Sequence, residues 1–246
     1  MAERFITPED YDAVLRVWQA CFGDEARYVR FFWTQCFLSG LCRGLCAEED
    51  GQVVSVLFLL PGALAHKTMR LAAEYVYAVA TLPAHRGRGY AGALTRRAAV
   101  VAREEGKSAL CLLPASQGLY DYYAKLGFCT AFALQNFGYA NPNAQGNLLP
   151  RNGDLHEYYV RRGTVWGAQG YFAWGAHLLE YMRAEHLFTG GTIHADGYLN
   201  DDGTFKERCE NCPANAPGGM LLPLDRRAGR WLRRTKGKGY LGFPLS

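Results

Sequence analysis

The amino-acid sequence predicts a mixed α/β fold built on one principal sheet. Three observations carry this. Apolar runs of strand length recur at residues 53–60, 72–81 and 109–113. Segments with helical periodicity and helix start signals separate them. One apolar strand also runs through a short Arg/Gly loop directly into a helix-forming stretch, from Val79 to Leu94.

Each element has its own local reason. Thr7-Pro8-Glu9-Asp10 is a helix start, with a capping residue, proline in the first turn and acids beside the helix dipole. The helix runs to about Phe22, carries an apolar stripe of Val14, Leu15, Val17, Trp18 and Cys21, and ends at Gly23-Asp24. A second helix covers residues 25–37 and is rich in aromatics, including Tyr28, Phe31, Phe32 and Trp33. Residues 45–47, a turn at Glu49-Asp50-Gly51 and residues 53–60 read as a hairpin. Residues 72–81 form the next strand, 90–105 a helix, 109–113 a strand, and 129–139 the strands that close the core. Residues 141–147 are polar and turn-rich and mark a linker, drawn here as 141–153. Beyond it, residues 170–186 read as a helix, with Tyr171, Trp174, Leu178, Leu179 and Met182 on one face. A Gly190-Gly191 turn and short strands at 192–195 and 197–200 follow.

Composition bounds the function. Apolar residues make up 49% of the 246 and charged residues 20%, ordinary for a globular protein. No apolar run approaches the roughly 20 residues of a membrane span. The start, Met1-Ala2-Glu3-Arg4-Phe5, has no apolar signal core, so the expected location is the cytoplasm. A net charge of +4 is too mild to argue for a nucleic-acid partner. Seven basic residues do crowd into positions 226–238, a pattern that reads first as a solvated face. The eight cysteines are scattered, and Cys209-Glu210-Asn211-Cys212 lacks two further ligands at usable spacing, so no metal is expected.

The chemistry concentrates in Arg86-Gly87-Arg88-Gly89-Tyr90-Ala91-Gly92. A helix N-terminus leaves backbone N–H groups free and carries positive dipole charge, which favours phosphate. Glycine lets a ligand approach the backbone without a Cβ in the way. The spacing fits R/Q-x-x-G-x-G/A, and this stretch resembles the pyrophosphate loop of the GCN5-related N-acetyltransferase (GNAT) superfamily. A second element, Tyr123-Ala124-Lys125-Leu126-Gly127-Phe128, resembles the Y-x-x-x-G-F ending of the same family, one helix and one strand further on.

The resemblance covers about residues 1–139. It implies a GNAT acyl-CoA N-acyltransferase fold over residues 1–140. The layout is similar to bacterial members that append a smaller α+β lobe, here 154–246, packed on the catalytic unit. Acetyl-CoA is then the co-substrate. Backbone groups of Val79, Ala80 and Thr81 face its pantetheine arm, residues 86–92 its phosphates, and Ser116 stands where relatives carry an asparagine that contacts it. Tyr123 holds the position of the general acid, with Tyr120 and Tyr122 as neighbours that compete for the role. Glu74 is the candidate base, although one register step along the strand would place Tyr75 there instead, and a water chain to bulk solvent is the alternative to a protein base. The resemblance further implies that the first two helices border the acceptor.

The implied reaction is acetyl transfer to a primary amine, with a small-molecule acceptor as the leading reading. A protein acceptor, a coenzyme-binding sensor without turnover, and an interaction protein using the basic cluster stay open. So does a homo-oligomer.

Overall fold

The computed structural model describes residues 2–133, 167–189, 192–194, 197–199 and 217–241. In chain order the elements are β1 (Ala2–Phe5), α1 (Tyr11–Phe22), α2 (Ala26–Phe32), β2 (Arg43–Glu49), β3 (Gln52–His66), β4 (Met69–Thr81), α3 (Tyr90–Glu104), β5 (Ala109–Leu112), α4 (Gln117–Lys125), β6 (Cys129–Ala133), β7 (Tyr171–Trp174), α5 (Ala176–Phe188), β8 (Thr192–His194), β9 (Gly197–Leu199), β10 (Pro217–Pro223) and α6 (Arg226–Thr235). Eight of the strands form one sheet in the order β1-β2-β3-β4-β5-β10-β6, with β7 on β3; β8 and β9 pair separately. The mixed α/β class is as the sequence predicts.

The start of α1 is locally encoded. The Asp10 carboxylate accepts the Thr7 backbone N–H at 2.7 Å and pairs with Arg4, also at 2.7 Å. Gly23, at φ 77°, ends the helix and returns its N–H to the Gln19 carbonyl. Helix α2 runs into a π-turn over Trp33–Phe37, so the expected helical span 25–37 is real but changes its winding.

Two apolar layers sandwich the sheet. On one face Trp18, Phe32, Phe58, Trp174 and Trp231 pack as a buried aromatic cluster. On the other, α3 and α4 cover Leu57, Leu59, Val76, Leu110 and Met220 with Leu94, Ala98 and Tyr123. Successive strand residues point to opposite faces, which is why β3 can be apolar almost throughout.

The C-terminal half differs from its expected form in two respects. Residues 171–174 are a strand, not the first turn of a helix. Their spacing fits a helical stripe, but all four are buried and pair along β3, and the helix starts only at Ala176, after Gly175. Strands β7 and β10 also enter the main sheet. β10 lies antiparallel between β5 and β6, with Met220 opposite Leu112 and Leu221 opposite Cys129. Residues 217–223 therefore supply the strand between β5 and β6; of the stretch 129–139 expected to close the core, residues 129–133 form β6 and the rest lie outside the described residues. A cut near residue 140 would divide a single sheet. The linker at 141–153 and the Cys209/Cys212 pair lie outside the described residues.

Gly62 is where β7 docks. It pairs with Ala73 on one side and Trp174 on the other, and a Cβ built there would sit 2.3 Å from the Phe172 ring. Replacing Gly62 with Ala should lower stability by about 1–3 kcal/mol, read from the urea midpoint. Adding Phe172→Leu in the same chain should recover part of the loss.

Candidate functional site

The site begins where two parallel strands part. β4 and β5 pair only at Ala73–Ala109, Glu74–Leu110 and Tyr75–Cys111. Beyond Tyr75, β4 stays on β3 while β5 follows β10. The β5-side edge of β4 from Val76 to Thr81 therefore has no strand partner among the described residues. The Tyr75 hydroxyl bridges the start of the opening by accepting the Leu113 N–H at 3.2 Å.

The same stretch carries a bulge. Val56 opposes Ala80 while Phe58 opposes Tyr77, so β4 has one residue more than β3 there. Ala78 takes φ 49°, a conformation costly for a residue with a side chain. The bulge turns the backbone of Ala78 and Val79 out of the ladder beside the gap. Ala80 and Thr81 are tied back: the Ala80 carbonyl accepts from the Ser55 hydroxyl at 2.7 Å, and the Ser55 and Thr81 hydroxyls lie 2.8 Å apart.

The glycine loop stands at the end of this strand. Gly87 and Gly89 sit at φ 77° and 89°, with no atom within 4 Å of where a Cβ would project. Gly89 caps α3, and the first helical bond runs from the Ala93 N–H to the Gly89 carbonyl at 2.9 Å. Helix geometry leaves the N–H groups of Tyr90, Ala91 and Gly92 without intrahelical acceptors. The first turn holds no acid to neutralise them.

The two arginines are engaged elsewhere on the loop's flanks. The Arg86 Nε donates to the Thr81 carbonyl at 3.2 Å. Arg88 pairs with Glu49 at 3.0 Å, and the His85 ring lies 3.2 Å from the same carboxylate. The Tyr90 hydroxyl bond holds the Glu49 carboxyl below its usual range, and the charges of Arg88 and His85 add to this. Sequence reasoning missed Glu49. It is the last residue of β2, about 40 positions upstream in the chain, and only the sheet brings it here.

The tyrosines of α4 divide. Tyr123 is buried, with its ring edge-on to Tyr122 at 5.0 Å and to Phe128 at 5.6 Å. Burial pushes its hydroxyl well up, so it is protonated at neutral pH. Tyr122 reaches across to α3, where its hydroxyl would lie 3.4 Å from a Cβ on Gly92. Tyr120 is only partly buried. Ser116 is exposed and caps α4 with extended backbone but no side-chain bond to the helix.

Glu74, the candidate base, lies within β4. It is 3% exposed, and Arg43 donates to its Oε1 at 2.7 Å. It lies in the paired part of β4, before the strands part. Alternation along the strand puts it on the α3 face with Val76, near Glu105, which shares Arg43. The geometry makes it half of an ion pair with Arg43 in the paired part of β4, ahead of the gap. Among the described residues no cluster of His, Cys, Asp and Glu is arranged to hold a metal ion, and no helix is long and apolar enough to cross a membrane.

The family model for the acetyltransferase (GNAT) domain matches residues 3–131, just over half of the chain, and the chain belongs to that family. A search of curated proteins found no match. Solved structures show the same fold. A GCN5-related N-acetyltransferase from Kribbella flavida is 20% identical, with a TM-score of 0.60 over 92% of this chain and 73% of its own. A GNAT family N-acetyltransferase from Escherichia coli, solved in complex with CoA, is 15% identical, with a TM-score of 0.51 over 98% of this chain and 87% of its own. A probable N-acyltransferase from Enterococcus faecalis V583 is 14% identical, with a TM-score of 0.58 over 83% of this chain. This chain spans about half, 53%, of that protein's length.

Glu74 supplies a test with a definite sign. Burial raises its carboxyl above the ordinary 4.5, and Arg43 offsets this only in part. A raised acid stabilises the fold when protonated, so stability should fall as pH rises from 4.5 through the raised value. Glu74→Gln should remove that fall in a pH series of urea midpoints.

Proposed function

We propose that the protein transfers the acetyl group of acetyl-CoA to the primary amine of a small molecule, by direct attack while both substrates are bound. The carrying observation is the parting of β4 from β5 beside the Ala78 bulge, with the open glycine loop and the α3 N-terminus at the end of the same strand. The CoA complex of the Escherichia coli protein of like fold supports the reading.

In this reading the N–H groups of residues 87–92 hold the pyrophosphate, and the helix dipole adds attraction. Arg86 and Arg88 border the phosphates while braced by Thr81 and Glu49. The gap accepts the pantetheine arm along Val79, Ala80 and Thr81. Holding both substrates in one complex removes most of the entropy cost of their meeting. A bulge N–H beside the thioester carbonyl stabilises the developing oxyanion. The ammonium first loses a proton to a water chain leading to bulk solvent, the neutral nitrogen bonds to the acetyl carbon as the carbon–sulfur bond breaks, and the second proton the nitrogen then sheds returns through solvent to Tyr123. Tyr123 gives its proton to the departing thiolate. Its buried, protonated hydroxyl suits a donor.

Coenzyme A should raise the melting temperature of the wild type by mass action. Gly89→Asp should abolish that shift, because it puts a carboxylate where a phosphate belongs. Gly89→Ala, which brings the same backbone strain without charge, should keep part of it.

Tyr123→Phe should retain the coenzyme A shift and lose about a hundredfold or more in kcat. Tyr122→Phe should change KM for acetyl-CoA more than kcat. Equal kcat for wild type and Tyr123→Phe under rate-limiting chemistry would remove Tyr123 from the acid role.

A further inference from the structure

The seven basic residues at 226–238 have no part in the acetyl-transfer reading, and the fold gives them a definite shape. Five are the arginines of α6: Arg226, Arg227, Arg230, Arg233 and Arg234. At 3.6 residues per turn they fall within about a third of the helix circumference, over about 12 Å of its length. All five are exposed, as are Lys236 and Lys238 just beyond the helix. The other side of α6 packs on the sheet. Ala228, Trp231 and Thr235 are buried, and Trp231 donates its ring N–H to the Ala65 carbonyl at 3.0 Å. That anchorage fixes which way the arginines face.

The stripe lacks counter-charge. Residues 226–246 contain no acid. Asp225 caps the helix through the Ala228 N–H and pairs with Arg227, both at 2.9 Å. Among the described residues the other four arginines have no carboxylate partner. The positive field continues past both ends. Arg103 of α3 donates to the Leu224 carbonyl beside the helix start, at 3.4 Å. At the far end burial lowers the pKa of His66, and the charges of Lys67 and Arg234 lower it further. Helix stability does not call for this arrangement. Arg230 repels Arg226 and Arg234 four positions away, and Arg227 and Arg233 three positions away. Arg226 and Arg227 also stand at the helix end that favours acids. Coenzyme phosphates do not call for it either. Ala65, under Trp231, is ten residues along β3 from Ser55, which is tied to Thr81 before the glycine loop. At about 3.3 Å per residue the stripe lies about 30 Å from that loop.

We propose that the arginine stripe of α6 is a docking surface for duplex nucleic acid, held by its phosphates without regard to base sequence. Guanidinium forks match phosphate oxygens two at a time. Five charges in about 12 Å approach the density of a duplex, one phosphate per about 1.7 Å of axis. An extended acidic peptide presents side chains on one face only every 6–7 Å or so, about a quarter of that density. A helix that lies on a membrane needs a free apolar face, and that of α6 is buried in the fold. The one aromatic ring of α6, Trp231, is buried too, so no ring of this helix can stack on a base and the contact stays with the backbone.

The test is fluorescence anisotropy of a labelled DNA duplex of about 20 base pairs, in two unrelated sequences, titrated with the full chain at about 50 and 150 mM salt. Both sequences should bind alike, with a Kd of about 1–10 μM at the lower salt. With five phosphates engaged, affinity should fall about a hundredfold between the two salt concentrations, a log–log slope of about 4–5. Arg230→Glu should weaken binding about tenfold or more and lower the slope by about one or more. It should not lower the melting temperature, because it replaces repulsion of Arg226 and Arg234 by attraction. Arg233→Gln with Arg234→Gln carries the test if Arg230→Glu does not fold, with a slope lower by about two. Arg27→Glu on α2 makes the same change of net charge as Arg230→Glu and should bind within about twofold of wild type. No binding at about 100 μM protein in the lower salt, a slope below about two, or equal binding by the stripe variants and Arg27→Glu overturns the proposal. So does tighter binding of poly-L-glutamate, or of phosphatidylserine vesicles, than of the duplex at the same salt.

Discussion

The structure depends on one constraint: β4 holds two partners at Ala73–Tyr75 and only one beyond it. An unpaired strand edge leaves backbone donors and acceptors unsatisfied, a cost that folds ordinarily avoid. Here the edge is kept by what surrounds it. β3 pins the other side of β4 along nearly its whole length. β10 pairs with β5 and draws it away from β4. The Tyr75 hydroxyl then accepts the Leu113 N–H at the point of parting. An edge held open by rigid neighbours is preorganised for an extended ligand with amide groups, such as a pantetheine arm.

That opening divides the labour of the two faces. The α3 and α4 face carries the glycine loop, Tyr122 and Tyr123. The opposite face carries α1, α2 and α5, with its aromatic cluster and the Tyr28–Glu185 contact. The bulge at Ala78 lies in β4, between these two faces.

Charge follows the same plan. Glu49 braces Arg88 and His85 beside the loop, so their positions are set before any anion arrives. Arg43 answers Glu74 inside the sheet and Glu105 at its rim. Such a buried pair adds little net stability, because desolvation offsets most of the attraction. It does fix how β2 and β4 sit relative to the end of α3.

Much of this was legible in the sequence, and the reason is locality. The capping residues Thr7 and Asp10, the Gly23 stop, the Glu49-Asp50-Gly51 turn and the strand–loop–helix at 79–94 are all set by neighbours in the chain. Helix capping, left-handed backbone and apolar period act over a few residues, so a linear reading finds them. What the tertiary structure alone decided is pairing across distance. Tyr171–Trp174 fits a helical stripe as well as a strand, and only the open edge of β3 selects the strand. The strand that closes the core comes from residues 217–223 because β5 and β6 leave a slot with two free edges, and nothing local to that segment says so. Glu74 has the residue type of a base and the surroundings of an ion pair, set by Arg43 thirty-one positions away. Glu185 meets Tyr28 across 157 residues, a contact that no spacing in the chain could announce.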